Sequence, residues 1–370
     1  MPTPTVCLNM IVKNEAHVIE RCLTSVLPFI DRWVIVDTGS TDGTQVLVRD
    51  VLRSKPGELH ERPWKSFGHN RNEALQLAKP QGDYLFFIDA DEQLLLPPHF
   101  ERGRLSAQGY YLNCKYGGTT YSRCALVSAH LRWHWEGVVH EYLACDDRFQ
   151  LQTLVGPTVL ISHDGARSRD PDTYLKDAAL LEEALRANPN SPRDTFYLAQ
   201  SYRDAGQLEK SRTIYQRRAN MTGFEEEGWY ALYQVAMLDE KLNREPSTVA
   251  FGYLSAYQRR PSRAEPLVRL ARYHRLRKEY EIALLYARRA ATIPRPADLL
   301  FVDDATYQWS ALDELAVAAS YTSAKEEGRA ALRELMKGNC FPESERPRML
   351  DNCRFYGISP SPSAVRAQAG

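Results

Sequence analysis

Three carboxylates lie within four residues directly after one apolar run of the sequence. The run, Tyr84 to Ile88, has the aromatic and branched residues of a strand buried on both faces, and Asp89, Asp91 and Glu92 follow it. Ligands of open α/β sheets bind beyond the carboxyl ends of the strands, so we expect Asp89 and Asp91 at the mouth of a cleft. Two carboxylates at this spacing suit a hard divalent cation that shares its coordination shell with substrate phosphates. A solvated acidic turn is the alternative, and it is the better interpretation of an isolated Asp-x-Asp.

The chain before this run repeats one design, a strand followed by a polar turn and a helix. Val6–Val12 predicts the first strand, and Trp33–Asp37 predicts the second. Asp37 therefore ends a strand, where it can accept hydrogen bonds from the hydroxyl groups or ring N–H of a nucleoside; a turn or helix-cap role is equally open. Arg71, near the start of a later predicted helix, is a candidate nucleotide contact, although an isolated Arg is more often ion-paired. These alternating elements predict an α/β, Rossmann-like domain.

Four motifs in this order resemble those of the family 2 glycosyltransferases of GT-A fold. The motifs are Leu8–Glu15, Val34–Thr44, Asn70–Ala74 and Phe87–Glu92, and the resemblance covers about residues 1–165. It implies an inverting transferase that uses a nucleotide-diphosphate sugar, usually UDP-linked, with Mn²⁺ or Mg²⁺ bound at the Asp-x-Asp motif.

The resemblance also assigns roles to particular residues. The turn after the first strand and the second strand's last residue would hold the nucleoside, and the Asp-x-Asp motif would hold ribose and metal. The implied donor contacts are Val12, Asn14, Glu15, Asp37, Arg71, Asp89 and Ala90. Asp91 is the implied metal ligand, together with Asp89.

An inverting displacement also needs a base on the face of the sugar opposite the leaving group. The stretch Trp135–Glu141, with the pattern Trp-x-Gly-x-x-His-Glu, resembles the corresponding stretch in the branch of this family that carries a helical-repeat tail. We predict Glu141 as the base, with Glu136 as second choice, and His140 as a metal ligand. A packed aromatic patch without catalytic role is the alternative.

The sequence from Tyr174 onward contains an internal repeat of helical character. Tyr197–Ala219 aligns with Val268–Ala290 without a gap at an offset of 71 residues, about twice the ~34-residue period of tetratricopeptide repeats, which these segments resemble. We predict an all-α repeat domain over residues 174–358, after a GT-A domain over 1–167, and a disordered tail over 359–370. Such repeats make concave surfaces, so we expect this domain to hold the acceptor, a peptide, protein or glycan, or to form a homodimer.

The composition excludes some classes of function. Among the 370 residues, Lys plus Arg and Asp plus Glu both total 47, so no global field favours nucleic acid. The sequence lacks a leader pattern and any long apolar run, so we expect a cytoplasmic protein without a transmembrane segment. Two other interpretations are a non-catalytic scaffold of nucleotide-binding and repeat domains, and a sugar-phosphate nucleotidyltransferase. The latter needs a Gly-rich basic loop, which Val12–Glu15 is not.

Overall fold

A computed structural model describes residues 3–98, 100, 102 and 105–359 of the chain. The chain divides into two compact units, with the division between Ile214 and Tyr215. The domain limits 1–167 and 174–358 remain predictions, and residues 360–370 of the predicted tail lie outside the described residues.

The first unit contains an α/β sheet followed by helices. Its elements are β1 (Val6–Val12), α1 (Ile19–Val26), β2 (Arg32–Asp37), α2 (Thr44–Val51), β3 (Gly57–Glu61), α3 (Phe67–Ala78), β4 (Tyr84–Phe87), β5 (Glu92–Leu95), β6 (Gly109–Tyr116), β7 (Thr119–Ser128), β8 (Trp133–Glu136), β9 (Tyr142–Cys145), β10 (Leu151–Ile161), α4 (Thr173–Ala187) and α5 (Pro192–Asp204). Helix α6 (Leu208–Ala219) crosses the division between the units.

The main sheet brings three predicted strands together in parallel. Its strands follow the order β3, β2, β1, β4, β7, β6, β10, β5. Strands β3, β2, β1 and β4 are parallel, whereas β7 is antiparallel to β4. The carboxyl ends of β1, β2 and β4 therefore meet at one edge of the sheet, which is the edge that carries Asp37 and Asp89.

The central strand β1 forms because its apolar residues can be buried against both neighbours. Val6, Leu8 and Met10 pack into the main core together with the buried face of α1. Asn9 is a polar exception, and its Nδ2 donates to the carbonyl oxygens of Val34 (3.3 Å) and Ala74 (3.0 Å). This pairing satisfies a buried amide that would otherwise destabilise the strand.

The structure corrects the limits of the final strand of the sheet. The apolar residues Val159–Ile161 predict a final strand that begins at Val159, whereas β10 begins at Leu151, and β5 was not predicted. The first half of β10 is largely exposed and contains a bulge between Thr153 and Thr158, so it lacks the continuous apolar run that marks a buried strand. The segment that carries the predicted base forms a separate antiparallel hairpin of β8 and β9.

The second unit is helical. Its elements are α7 (Glu225–Lys241), α8 (Pro246–Arg259), α9 (Glu265–Leu276), α10 (Tyr280–Ala291), β11 (Val302–Asp303), α11 (Ala311–Ser320), α12 (Lys325–Gly338) and α13 (Arg346–Phe355).

Helix pairs confirm the predicted repeat. Tyr197–Ala219 lies in α5 and α6, and Val268–Ala290 lies in the equivalent pair α9 and α10, with the pair α7 and α8 between them in the chain. Leu284 of α10 packs in one cluster with residues of α11, α12 and α13, so the last helices bury the final apolar face of the stack. The predicted fold class, an α/β Rossmann-like domain followed by helical repeats, is confirmed. Among the described residues, no helix is both long and apolar enough to span a membrane.

Candidate functional site

The turns after β1 and β2 are tied to each other by hydrogen bonds. The carbonyl oxygen of Val12 accepts from the Thr38 N–H (2.9 Å). Asn14, in the left-handed region with φ +56°, donates its N–H to Ser40 Oγ (2.8 Å). The Glu15 N–H reaches Thr44 Oγ1 (2.9 Å). The predicted nucleoside-binding residues therefore lie in one braced pair of loops.

Asp37 lies at the bottom of this loop pair and is fully buried. Its Oδ1 accepts the N–H groups of Gly39 (2.8 Å) and Ser40 (2.7 Å). Its Oδ2 is also buried but has no hydrogen-bond partner among the residues that the structure describes. A buried carboxylate oxygen without a donor is costly in free energy, which points to a donor supplied by a ligand.

The two aspartates of the Asp-x-Asp motif have opposite electrostatic surroundings. Burial favours a raised pKa of Asp89, but the guanidinium groups of Arg71 (2.8 Å) and Arg123 (3.8 Å) outweigh it, so the pKa is lowered. The pKa of Asp91 is raised, first by burial and then by the charge of Asp89. Ala90, buried between them, keeps the motif against the core. Asp89 is thus held as an anion, whereas the charged form of Asp91 is disfavoured.

Arg71 joins this motif to the predicted base. Its Nη2 contacts Asp89 Oδ1 at 2.8 Å, and its Nε lies 3.5 Å from Glu141 Oε2. The same guanidinium lies 5.0 Å from the centroid of the Trp135 ring. The sequence suggested a nucleotide contact for Arg71, and the structure makes it the link between Asp89 and Glu141.

Of the two predicted base candidates, only Glu141 lies at this link. Its side chain is 6% exposed, and its Oε1 has no hydrogen-bond partner within the described part of the chain. Burial raises the pKa of Glu141, with Arg71 acting in the opposite direction. Glu136 instead accepts from Tyr142 Oη (2.5 Å) and pairs with His134 Nε2 (2.9 Å), and these bonds lower its pKa.

His140 is oriented by a different set of contacts. Its ring stacks on Tyr197 with centroids 4.3 Å apart, and its pKa is lowered by burial and then by the charges of Arg167 and Arg193. Within the described residues, no group of three or more His, Cys, Asp or Glu side chains is arranged to hold a metal ion. The structure therefore does not gather Asp89, Asp91 and His140 into one ligand set, and their roles as metal ligands remain predictions.

Comparison with known proteins identifies the part of the chain that carries this site. Residues 7–102 match the family described as "Glycosyl transferase family 2". These residues contain Asp37, Arg71, Asp89 and Asp91. The similarity to family 2 glycosyltransferases therefore covers the part of the chain that carries the Asp-x-Asp motif.

Curated proteins similar to this chain include a glycosyltransferase and a TPR repeat-containing protein. The chain is 25% identical over 215 residues to the SPbeta prophage-derived glycosyltransferase SunS of Bacillus subtilis, covering 53% of this chain and 48% of SunS. It is 37% identical over 92 residues to a TPR repeat-containing protein of Synechococcus elongatus, covering 25% of this chain and 21% of that protein. The chain thus spans about half or less of the length of these curated relatives.

One solved structure similar to the chain is that of S. aureus TarS in complex with UDP-GlcNAc. The two are 16% identical, with a TM-score of 0.36, over 63% of this chain and 81% of TarS.

Several residues around the candidate site were missed by the sequence analysis. Glu92 holds the Asp-x-Asp motif in place and is not a ligand candidate. It accepts two hydrogen bonds from Arg123 (2.9 and 2.6 Å) and one from the Asp89 N–H (3.0 Å). Beyond β10, the Gly165 N–H donates to Asp91 Oδ2 (3.3 Å), and the Ala166 N–H donates to Glu15 Oε2 (3.1 Å). The only sequence signal for this second contact was the polar run that follows the predicted final strand.

Proposed function

We propose that the chain is a metal-dependent inverting glycosyltransferase that transfers a sugar from a UDP-linked donor to an acceptor. The observation that carries the proposal is the position of Arg71, whose guanidinium contacts both Asp89 of the Asp-x-Asp motif and the buried carboxylate of Glu141. A donor motif and a base candidate that share one cation are close enough to act on the same glycosidic bond.

The preference for uridine follows from Asp37. Its buried, unpartnered Oδ2 needs a hydrogen-bond donor, and the ring N3–H of uracil is one. Cytosine carries no hydrogen on N3 and would set a second acceptor against the carboxylate. We therefore expect UDP to bind more tightly than CDP. Guanine and thymine also offer a ring N–H, so GDP and dTDP must be tested beside UDP.

Mn²⁺ or Mg²⁺ fits the residues at the end of β4. Asp91 is a carboxylate whose pKa is raised by burial and by Asp89, so a nearby dication would stabilise its charged form. Mg²⁺ commonly binds through one or two carboxylates together with substrate phosphates, so a third protein ligand is not required. Asp91, with Asp89, would hold the metal, which when bound would neutralise charge on the leaving diphosphate.

Glu141 has the properties of the general base. Its pKa is raised by burial, which makes it a better proton acceptor than a solvated glutamate, and its Oε1, which has no partner among the described residues, can accept the proton of an acceptor group. Arg71 acts on the pKa of Glu141 in the opposite direction, because its charge favours the carboxylate form. Attack assisted by this base from the side opposite the diphosphate inverts the anomeric carbon. The acceptor would be a peptide, a protein or a glycan, and the helical repeats would present it or hold a second copy of the chain.

The first test is a thermal-shift panel of UDP, GDP, CDP and dTDP, each with and without Mn²⁺. A metal-dependent shift with UDP, followed by release of UDP from a UDP-sugar, would support the proposal. The absence of a shift with every nucleotide would favour the non-catalytic scaffold instead.

The second test compares Glu141→Gln with Glu136→Gln. Glu141→Gln should preserve UDP affinity but lower the chemical rate by about two to four orders of magnitude, the usual contribution of a general base. In the wild type, the rate should rise with pH as Glu141 loses its proton, at a pH above that of an ordinary glutamate because the pKa is raised. A large loss of rate in Glu136→Gln alone would move the base to Glu136.

A further inference from the structure

The turn that carries Glu141 is anchored in the first helices that follow the sheet. Val139, two residues before Glu141, is 2% exposed. It packs in one apolar cluster with residues of α4 and α5, namely Ala178, Leu181, Leu185, Leu198 and Tyr202. The hairpin of β8 and β9 thus inserts its tip into a helix pair whose sequence is typical of the repeats.

Arg193, in the first turn of α5, holds the same turn by its backbone. Its Nη2 donates a hydrogen bond to the carbonyl oxygen of His140 (2.9 Å). Its guanidinium lies 4.7 Å from the centroid of the Tyr142 ring and 4.8 Å from that of Tyr197. Tyr197, one helical turn further along α5, stacks on the His140 ring at 4.3 Å. Both sides of the Glu141 residue are therefore clamped by α5.

The clamp matters because the backbone at His140 is in an unfavourable conformation. His140 has φ +53°, in the left-handed region that residues other than glycine rarely adopt. Residues persist in such conformations when the surrounding structure holds them there. Glu141 follows directly, so a relaxed turn would carry its carboxylate away from Arg71, 3.5 Å distant.

We propose that Arg193 and Tyr197 are positioning residues for Glu141, and that the first helix pair is part of the transferase site. The proposal rests on the proposed function and deepens it. It separates α4 and α5 from the role expected of the later repeats, which is to bind the acceptor or a second copy. Arg193 contacts the turn at the His140 carbonyl oxygen and at the Tyr142 ring, so we expect it to act through the conformation of the turn.

The test compares Arg193→Ala, Arg193→Lys and Tyr197→Leu with the control Arg186→Ala, an exposed arginine in the last turn of α4. Hydrogen exchange of the peptide over residues 137–142 measures the turn directly, without any need for turnover. We expect faster exchange there in Arg193→Ala and Tyr197→Leu, unchanged exchange in the control, and an intermediate rate in Arg193→Lys.

The functional readout is the hydrolysis of UDP-glucose and UDP-N-acetylglucosamine by the full chain. A misplaced base should lower kcat in Arg193→Ala by about 10- to 100-fold while KM for the donor stays unchanged. Methylguanidinium, added to Arg193→Ala but not to the control, should restore part of kcat. Partial rescue would distinguish positioning from a general loss of folding.

Exchange and kcat in Arg193→Ala equal to those of the Arg186→Ala control would overturn the inference while leaving the proposed function intact. A parallel fall of UDP affinity and kcat, without rescue, would also overturn it, because the helix would then only stabilise the fold. A wild type that neither binds UDP nor releases it from a donor would refute the proposed function itself, and with it any positioning of a base.

Discussion

Replacing Asp37 by asparagine should separate nucleotide binding from stability. In the wild type, Oδ1 accepts the N–H groups of Gly39 and Ser40, and Oδ2 is buried without a partner among the described residues. Asparagine has only one acceptor oxygen, whereas the backbone N–H groups and the ligand N–H each require an acceptor. If that oxygen stays on the backbone, the amide NH₂ replaces Oδ2 and opposes the uracil N–H; if it turns to the ligand, the backbone groups lose their acceptor.

The magnitude follows from the bond that is lost. A hydrogen bond to a charged group contributes about 1.5–3 kcal/mol, so UDP affinity should fall by about 10- to 150-fold. The free energy of unfolding should change little, because the asparagine oxygen can keep the Gly39 and Ser40 N–H groups while the substitution removes a buried charge. The preference for UDP over CDP should collapse, since in the proposed function Asp37 is the group that distinguishes the two ring nitrogens.

Isothermal titration with UDP and CDP, together with urea unfolding, measures all three effects. Asp83→Asn is the matched control. Asp83, which directly precedes β4, accepts hydrogen bonds from the N–H and the hydroxyl group of Thr5, so its replacement should lower stability without changing UDP affinity. Unchanged UDP affinity in Asp37→Asn, or a loss of stability equal to that of the control, would refute the role of Asp37 in binding the base.

Three further substitutions probe the metal site, the pH dependence and the packing. Asp91→Asn should abolish the Mn²⁺-dependent part of UDP binding in a thermal-shift assay and leave the melting temperature of the free protein nearly unchanged. Burial raises the pKa of Glu15 from 4.5 to about 7, so the wild type loses stability as the pH rises through this interval. Glu15→Gln should therefore be about 1–3 kcal/mol more stable than the wild type at pH 8 and equally stable at pH 4. Urea unfolding of both proteins at the two pH values measures the difference. In Gly328→Ala, the new Cβ would lie 2.2 Å from the Tyr356 hydroxyl, which should cost about 1–3 kcal/mol, whereas Gly338→Ala, with open space around it, should cost less.

Strands that are buried on both faces were predictable because their sequences are continuous apolar runs. Val6–Val12 is found with the predicted limits, and Trp33–Asp37 is extended by one residue. The position of Asp37 followed from the end of its strand. The first half of β10, from Leu151, could not be found in this way, because exposed and half-buried residues interrupt its pattern. Local sequence therefore predicts strands that are buried on both faces better than it predicts strands that are partly exposed.

The contacts that organise the site could not be predicted, because they join residues far apart in the chain. Arg123 reaches Glu92 only because β7 pairs beside β4, and the antiparallel register of that pair has no local signature. Arg193 meets the His140 carbonyl through helix packing that the repeat pattern does not specify. A residue type and a strand end are visible in the sequence, whereas a partner across the fold requires the topology.

The charges of the free site indicate why nucleotide binding should need a metal. Asp89 is compensated by Arg71, but the pKa values of Asp91 and Glu15 are raised by burial and by neighbouring carboxylates. A diphosphate would bring further negative charge to this edge of the sheet, and repulsion between like charges opposes it unless a cation binds as well. Uridine lacks the diphosphate and reaches only the Asp37 end. Its affinity should therefore change little with Mn²⁺, while that of UDP should rise steeply, and titrations of both ligands with and without the metal measure the difference. Equal metal dependence of uridine and UDP would show that the cation acts on the fold of the loops and not on the phosphates.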